Sequence, residues 1–418
     1  MKILWVKAGG LFPPDTGGRI RSYQILKTLA RRHRVTLFTF YTAVPDDLHS
    51  HLQSQFARVV CLPMKIQSGR RFREGLEYLR HLFSGLPYTV SKFCRPDVAV
   101  ALKKLVAEDK PDVIVCDFVF AAHVIPWEAT IPKVLFTHNV EALIWKRHYQ
   151  LARNPLWKAV CWREYRTMER FERTYAKRCD HLLTVSEHDR KIFLKLADCS
   201  RITVIPTGVD VDYFQPAPHL EKPNNLVFTG SMDWMPNEDG ILFFLQQIWP
   251  LVRAKIPNSS LSIVGRHPSK RIEALTAELE GVHITGRVDD IRPYVHRGSV
   301  YIVPLRIGSG TRLKIFEAMA MGKTIVSTAI GAEGLPVTSG RDIVLADGAA
   351  DFANAIIKLL QDPVQRGEIG RAARQLVEQK HSWDSVGQPF EAVLQNLARP
   401  MSDLLSAMSN HKLSALSH

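Results

Sequence analysis

The chain has 418 residues, of which 46% are hydrophobic, so it can supply two or three domains with cores of their own. Its formal net charge is +14, and its longest apolar runs are far too short to span a bilayer. These bounds argue against a disordered chain and against an integral membrane protein.

The N-terminus and the cysteines both bear on the cellular compartment of the protein. The first residues, MKILWVKAGG, hold only four apolar residues between two lysines, which is typical of a buried strand rather than a secretion signal. The six cysteines form no C-x-x-C pair. We therefore expect reduced thiols and a cytoplasmic protein.

The positive charge is concentrated in the first half. Residues 1–223 carry 35 Lys and Arg against 22 Asp and Glu, a net of +13. Such a basic half favours an acidic partner, which could be an anionic membrane surface, a phosphorylated acceptor or nucleic acid. A soluble surface with many arginines would give the same balance.

The chain opens with the pattern of an α/β domain. Ile3–Val6 predicts a strand, residues 8–18 a loop rich in Gly and Pro, Arg19–Arg32 a helix, and Val35–Tyr41 a second strand. This order is the first unit of a Rossmann-like domain. The spacing G-x-G-x-x-G is absent, which disfavours a nicotinamide or flavin enzyme.

Further strands follow through the first half, with helical segments between them. They are predicted at Val59–Leu62, Val113–Cys116, Val134–His138, Leu182–Ser186 and Ile202–Pro206. Ligands gather at the carboxyl ends of parallel strands, so His138 is expected to face the cleft and to titrate near neutral pH. Glu141 is the second candidate there, and a long helical region is predicted from it to about Arg178.

Two basic stretches of the first half carry aromatic residues. Gln67–Cys94 could be an amphipathic element that lies on a membrane or grips a lipid-linked acceptor, or an ordinary basic surface helix. Trp145–Arg178 could bind RNA by stacking and charge, although no RNA-binding motif accompanies it.

The α/β pattern restarts after PAPHLEKPNN, a predicted linker at 216–225. Leu226–Thr229 predicts a strand, Asp239–Ala254 a helix and Leu261–Val264 a strand, and no cation stands between Gly230 and Arg253. The predicted division is therefore a first domain at 1–215, a second at 226–382, a last helix at 383–398 and a disordered tail at 399–418.

The stretch GSGTRLKIFEAMAMGKTIVST, residues 308–328, combines small residues, cations and an acid at the start of a predicted helix. Exposed N–H groups at Gly310 and Thr311, with the cations Arg312 and Lys314, suit an anion such as a diphosphate. Glu317 is an acceptor suited to the paired hydroxyls of a ribose. A plain turn followed by a solvated helix face would show the same residues.

This stretch resembles the nucleotide-sugar signature of retaining family-four glycosyltransferases, whose GT-B fold has two Rossmann-like domains facing a cleft. The resemblance implies that the helix-start loop holds the donor diphosphate and that Glu317 binds the ribose. Many members carry a further Glu where this chain has Ser309, and the chain is similar to the branch with G-x-G-T-R-L-K at that point. It also implies a C-terminal helix that crosses back to the first domain.

The resemblance extends to other segments of the chain. Gly17 and Gly18 match the first-domain loop that approaches the donor phosphates, and Gly230 opens the matching loop of the second domain. The main chain near Arg287 would contact the base. His138 matches a histidine near the reacting sugar.

The function implied by the resemblance is transfer of a hexosyl group, with retention, from a UDP- or GDP-linked sugar to a glycan or lipid-linked acceptor. It implies no cofactor, no metal and no nucleic-acid partner, a role in bacterial surface polysaccharide synthesis, and a cytoplasmic or peripheral membrane location. Three alternatives stay open: a nucleotide-sugar epimerase on the same fold, a non-catalytic membrane scaffold, and a nucleic-acid-binding protein.

Replacing Arg312 by Ala should slow turnover by roughly one to two orders of magnitude, since a charge-assisted hydrogen bond contributes about 1.5–3 kcal/mol. Because diphosphate charge grows as the glycosidic bond breaks, we expect the loss in kcat, measured by steady-state kinetics. A loss confined to KM would contradict a role in the transition state.

Overall fold

The computed structural model describes residues 1–14, 16–41, 46–63, 78–79, 81–82, 84–152, 154–197, 201–307 and 313–399. The chain divides into two compact units, the first formed by residues 1–206 with those from Gly387 onward, and the second by residues 207–386. Residues 207–215, predicted to end the first domain, thus belong to the second unit. The predicted tail lies outside the described residues apart from Arg399.

The first unit is built on seven parallel strands. They are β1 (Lys2–Ala8), β2 (Arg34–Tyr41), β3 (Arg58–Pro63), β4 (Val113–Asp117), β5 (Lys133–Phe136), β6 (His181–Thr184) and β7 (Ile202–Val204). Their order in the sheet is β3-β2-β1-β4-β5-β6-β7. β1 and β4 are apolar runs buried on both faces, as a parallel sheet covered by helices requires.

Seven described α-helices belong to the first unit and precede the last helix of the chain. They are α1 (Gly17–Ala30), α2 (Asp46–Gln55), α3 (Tyr88–Ser91), α4 (Pro96–Asp109), α5 (Glu141–Leu151), α6 (Pro155–Arg178) and α7 (Glu187–Ala197). A 3-10 helix spans Val119–Val124.

The long helical region predicted up to Arg178 is two helices, α5 and α6, and the reason lies in the residues between them. Pro155 has no N–H to donate and is the first residue of α6. The Asn154 side chain accepts hydrogen bonds from the backbone N–H of Leu156 at 2.9 Å and of Trp157 at 3.1 Å. This N-cap fixes a new helix start, so the predicted helical region consists of two helices.

The second unit is built on six parallel strands. They are β8 (Asn225–Thr229), β9 (Ser260–Val264), β10 (Val282–Gly286), β11 (Val300–Val303), β12 (Thr324–Ser327) and β13 (Val344–Leu345). The sheet order is β10-β9-β8-β11-β12-β13. The helices are α8 (Met235–Phe243), α9 (Trp249–Lys255), α10 (Lys270–Glu278), α11 (Arg292–Arg297), α12 (Leu313–Ala320), α13 (Ala349–Gln361) and α14 (Pro363–Lys380), with a 3-10 helix at Pro218–Leu220.

The helix predicted at Asp239–Ala254 is interrupted in the structure. It begins earlier, with α8, widens into a π-helical turn at Phe244–Ile248 and continues as α9. Pro250 lies in the first turn of α9 and has no N–H for the preceding turn, and a π-turn accommodates that missing bond.

The last helix, α15 (Trp383–Ala398), returns to the first unit from Gly387 onward. Phe390 is fully buried, stacks on Trp5 with ring centroids 5.6 Å apart and meets Phe136 edge-on at 5.2 Å. Glu391 accepts hydrogen bonds from Arg32 at 3.0 Å and His33 at 2.8 Å. The predicted return of the C-terminal helix is confirmed.

In each sheet the strand order reverses at one point, which lies between β1 and β4 in the first sheet and between β8 and β11 in the second. This order is that of doubly wound Rossmann folds, so the prediction of two Rossmann-like domains is confirmed. Ligands of such sheets bind outside the carboxyl ends of the strands beside the reversal. No helix in the described part of the chain is long and apolar enough to cross a bilayer.

Replacing Phe390 by Ala should lower the free energy of unfolding by about 3–5 kcal/mol, because a fully buried ring leaves a cavity against Trp5 and Phe136. Denaturant unfolding followed by tryptophan fluorescence measures it. The exposed Leu251 supplies the control Leu251→Ala. Equal, small losses in both variants would contradict a core role for α15.

Candidate functional site

In the first unit, four polar side chains meet at the carboxyl ends of β1, β4 and β5. Asp117 ends β4 and accepts hydrogen bonds from Lys7 at 3.0 Å and from the Trp5 indole at 2.9 Å. Its other oxygen, Oδ1, lies 2.7 Å from His138 Nε2. His138 Nδ1 lies 3.0 Å from an Arg21 guanidinium nitrogen of α1.

The tautomer of His138 follows from these partners. Arg21 carries only donors, so His138 Nδ1 must accept its hydrogen bond. His138 Nε2 then carries the proton and donates to Asp117. Both ring nitrogens are thereby occupied by protein partners, and the imidazole is neutral.

Burial fixes that neutral state. His138 is only 5% exposed, and desolvation lowers its pKa to about 4, even though Asp117 acts in the opposite direction. Burial alone would raise the pKa of Asp117, but the Lys7 ammonium and the His138 hydrogen bond outweigh it and hold that pKa well below its usual range. The predicted exposed imidazole that titrates near neutral pH is therefore buried in the structure, with a lowered pKa.

The two predicted glycines of the first unit begin α1. An added Cβ on Gly18 would lie 4.0 Å from the His138 ring, so Gly18 and His138 are neighbours. Ser22 ties them together, because its hydroxyl donates to the Gly18 carbonyl at 3.0 Å and accepts from Lys7 at 3.2 Å. The buried network therefore supports the start of α1, where Gly17 and Gly18 stand.

Glu141 starts α5 beside a second buried acid. The Glu172 carboxylate accepts the backbone N–H of Glu141 at 2.7 Å and of Ala142 at 3.1 Å, which caps the helix. Burial raises the pKa of Glu141 to about 7 and that of Glu172 to about 8. Glu141 is therefore a carboxyl that can hold a proton near neutral pH.

In the second unit, the loop after β8 meets α12 and α8 at very short range. Lys314 donates to the Asn237 side chain at 2.8 Å and lies 4.2 Å from the centre of the Phe228 ring. A Cβ on Gly230 would stand 2.7 Å from both the Lys314 ammonium and the Asn237 amide nitrogen. A side chain at this position would displace the ends of Lys314 and Asn237, so Gly230 lets an ammonium lie close to the backbone.

A second glycine brings another cation to the same loop. A Cβ on Gly265 would lie within 1.8 Å of the Gly230 carbonyl oxygen, so β9 can end directly against this loop only with glycine. The next residue, Arg266, donates from Nε to the Ser231 hydroxyl at 3.0 Å, and Ser231 donates to Asp233 at 2.5 Å. A cation from the loop after β9 therefore reaches the loop that Gly230 opens.

Glu317 lies one turn after Lys314 on α12, half-buried. No hydrogen bond to its carboxyl comes from the described residues. Burial raises its pKa to about 7, against the nearby Lys314 ammonium, and the carboxylate in turn helps raise the pKa of the buried Tyr301. An acceptor without a donor is chemically suited to bind hydroxyl groups.

One further predicted residue, Arg287, lies apart from this group. Arg287 is exposed just after the edge strand β10, two strands away from β8. Ser309, Gly310, Thr311 and Arg312 lie outside the described residues. Within the described ranges no three His, Cys, Asp or Glu side chains could hold a metal ion together.

Several residues of these groups were missed from the sequence. Lys7 and Asp117 gave a weak signal, as charged residues at the ends of buried strands. Arg266 gave the same signal after β9. Arg21 and Asn237 gave none, because only the folded chain shows which side of their helices meets a loop.

Comparison with known proteins bears on both halves of the chain. Residues 16–213 match the model described as Glycosyltransferase Family 4, and residues 223–362 match the model described as Glycosyl transferases group 1. These matches support a family-four glycosyltransferase. Transferase activity is supported by the same two matches, which together include Gly17, Gly18, His138, Lys314 and Glu317.

Two relatives match the chain at low identity. An uncharacterized 44.6 kDa protein in the cps region of Klebsiella pneumoniae is 23% identical over 91% of this chain and 96% of its own length. A GDP-mannose-dependent monoacylated alpha-(1-6)-phosphatidylinositol monomannoside mannosyltransferase of Corynebacterium glutamicum is 26% identical over 47% of this chain. That match covers 56% of the mannosyltransferase.

Solved glycosyltransferase structures share the fold. Sucrose-phosphate synthase from Thermosynechococcus elongatus has a TM-score of 0.71 and 20% identity, covering 95% of this chain and 98% of its own. HepE of Anabaena, in complex with UDP, has a TM-score of 0.66 and 16% identity, covering 95% and 100%. These neighbours confirm the predicted GT-B fold class.

The imidazole of His138 should titrate near pH 4 instead of 6.5. Below pH 6.5 the unfolded state binds a proton at this histidine that the folded state does not bind. The free energy of unfolding therefore decreases as the pH falls from 6.5 towards 4. Histidine-selective NMR measures the pKa, with the signal assigned by its loss in His138→Gln. A midpoint near 6.5 would contradict the buried, neutral tautomer.

Proposed function

We propose that this glycosyltransferase moves a hexosyl group, with retention, from a UDP- or GDP-linked sugar to a glycan or lipid-linked acceptor. The observation that carries the proposal is the group formed by Lys314, Asn237, Gly230 and Glu317. It combines a cation that lies close to the main chain with a carboxyl to which no described residue donates a hydrogen bond. It lies at the carboxyl ends of β8 and β11, where the strand order reverses.

The diphosphate is assigned to the cations of this group. Lys314 would exchange its bond to Asn237 for one to a phosphate oxygen, and Gly230 would let that oxygen approach the main chain. Arg266 lies beside the same loop, and Arg312, with the N–H groups of Gly310 and Thr311, belongs to the same proposal. These groups would stabilise the departing diphosphate without requiring a metal.

The nucleoside is assigned to Glu317 and to the strand ends beside it. The carboxylate of Glu317 would accept the two ribose hydroxyls, which would supply donors where no described residue of the protein does. The main chain near Arg287 is assigned to the base, and Ser309 stands where many members carry an acid for the sugar.

The first unit is assigned to the acceptor and to closing on the phosphates. Gly17 and Gly18 would offer backbone N–H groups, and His138 acts as a positioning residue that supports them, since its own nitrogens are occupied. Glu141 remains the weaker candidate for the acceptor. HepE was solved with UDP, and the Corynebacterium relative is GDP-mannose-dependent, so both nucleotides stay in the proposal.

The setting of the reaction belongs to the same proposal. The charge of +13 over residues 1–223 favours an acidic acceptor or an anionic membrane surface. A cytoplasmic protein, peripheral on the inner face of the plasma membrane and engaged in surface polysaccharide synthesis, would meet such partners. The family matches do not favour the epimerase, scaffold or nucleic-acid alternatives.

A nucleotide sugar of one series should raise the thermal midpoint of the protein, because a ligand that binds the folded state stabilises it. The test compares UDP- and GDP-linked sugars in wild type, Lys314→Met and, as a control on the outer face of α13, Lys358→Met. Lys314→Met should weaken binding roughly 10- to 100-fold, the effect of one charge-assisted bond. No shift with any nucleotide sugar would sink the proposal.

The affinity for that nucleotide sugar should fall as the pH drops below about 7, because Glu317 then gains a proton and loses an acceptor. The phosphates of a nucleotide sugar do not titrate in this range, so the change of affinity with pH reports on groups of the protein. Calorimetric titration should show it in wild type and not in Glu317→Gln. The same slope in both proteins would remove Glu317 from the ribose site.

A further inference from the structure

Most of the large apolar side chains that are exposed among the described residues of the first unit lie on or beside the first half of α6. Leu156 is 79% exposed, Trp162 52% and Trp157 48%, and Leu79, in the segment bound to α6, is 57% exposed. With the exposed Leu82, these five residues are here called the apolar tip. One other exposed residue of this kind, Val100, lies on α4.

The tip is a built feature, because polar bonds hold its two segments together. The buried Glu164 of α6 accepts the Tyr78 hydroxyl at 3.3 Å and the Tyr88 backbone N–H at 2.8 Å. Arg163 donates to the carbonyls of His81 at 2.6 Å and Leu82 at 3.2 Å. The segment that carries Leu79 and Leu82 is thereby fixed on the first turns of α6.

A basic stripe continues from the tip along α6. It starts at Trp162 and continues through the exposed residues Arg166, Arg170, Arg173 and Lys177. Spacings of three and four place these side chains in one row along the helix. Glu169 is the acid between them, paired with Arg166 at 3.4 Å and Arg173 at 3.9 Å, so the stripe keeps a net positive charge.

We propose that the apolar tip and the basic stripe dock this enzyme on an anionic lipid bilayer. Tryptophan and leucine side chains enter the interface between headgroups and acyl chains, and arginines pair with lipid phosphates. Each basic residue near an anionic surface strengthens the attraction to it. The inference rests in part on the proposed lipid-linked acceptor, which such docking would bring to the first unit.

The side chains favour a bilayer over other acidic partners. Nucleic acid is bound by cations and by aromatic rings that stack on bases, and it has no apolar region in which leucine side chains could be buried. Leu79, Leu82 and Leu156 need an apolar medium, which a bilayer supplies beneath its charged surface. The predicted amphipathic element Gln67–Cys94 falls partly outside the described residues, and its described end contributes Leu79 and Leu82 to the tip.

The test is flotation of the full chain with phosphatidylcholine vesicles, with and without phosphatidylglycerol. Wild type should float only with the anionic lipid and should detach at high salt. The double variant Leu156→Ser with Trp162→Ser should lose roughly tenfold in vesicle partition, because apolar surface no longer leaves water. The control Leu251→Ser with Val364→Ser removes exposed apolar residues of the second unit and should float like wild type.

Thermal unfolding of every variant, with and without the nucleotide sugar, separates this inference from the proposed function. All changed side chains are exposed, so the midpoint and its nucleotide shift should stay as in wild type. Failure of wild type to float, or equal flotation of the tip variant, would overturn docking while leaving the donor site standing. Binding to RNA or to an acidic polysaccharide in place of vesicles would overturn it as well.

Discussion

The Lys314 ammonium lies close to the backbone of Gly230, and the candidate site of the second unit depends on this close approach. A Cβ at Gly230 would stand 2.7 Å from the ammonium, and a Cβ at Gly265 would meet the Gly230 carbonyl at 1.8 Å. Two glycines at adjacent strand ends therefore allow α12, α8 and the loop after β9 to converge. Cations can then approach one main-chain loop, which is the arrangement that a diphosphate requires.

The first unit has a buried hydrogen-bonded network at the carboxyl end of its sheet. Lys7, Asp117, His138 and Arg21 are buried and bonded to one another there. With two cations, one carboxylate and a neutral imidazole, the network carries a net positive charge. Because both ring nitrogens of His138 are hydrogen-bonded within the network and its pKa is lowered to about 4, the role proposed for the network is to support the start of α1. The proposed function thus assigns positioning to the first unit and phosphate binding to the second.

The sequence predicted the fold well because strand periodicity and glycine-rich loops are local signals. It missed details that single residues set: Asn154 and Pro155 divide a predicted helical region into two helices, and Pro250 follows a π-turn inside a predicted helix. For the candidate site, Lys314, Glu317 and Gly230 were predicted from a family resemblance. Asn237, Arg266 and Asp117 depend on which elements become neighbours. His138 was misjudged because its burial depends on side chains that pack against it in the fold, among them Arg21, far away in sequence.

The most direct test is a crystal structure of the enzyme with the nucleotide sugar that stabilises it. We predict a phosphate oxygen about 2.7–3.2 Å from Lys314 Nζ, with the bond between Lys314 and Asn237 broken. The ribose hydroxyls should lie at hydrogen-bond distance from the Glu317 carboxylate. A nucleotide bound elsewhere, or one that leaves the bond between Lys314 and Asn237 intact, would contradict it.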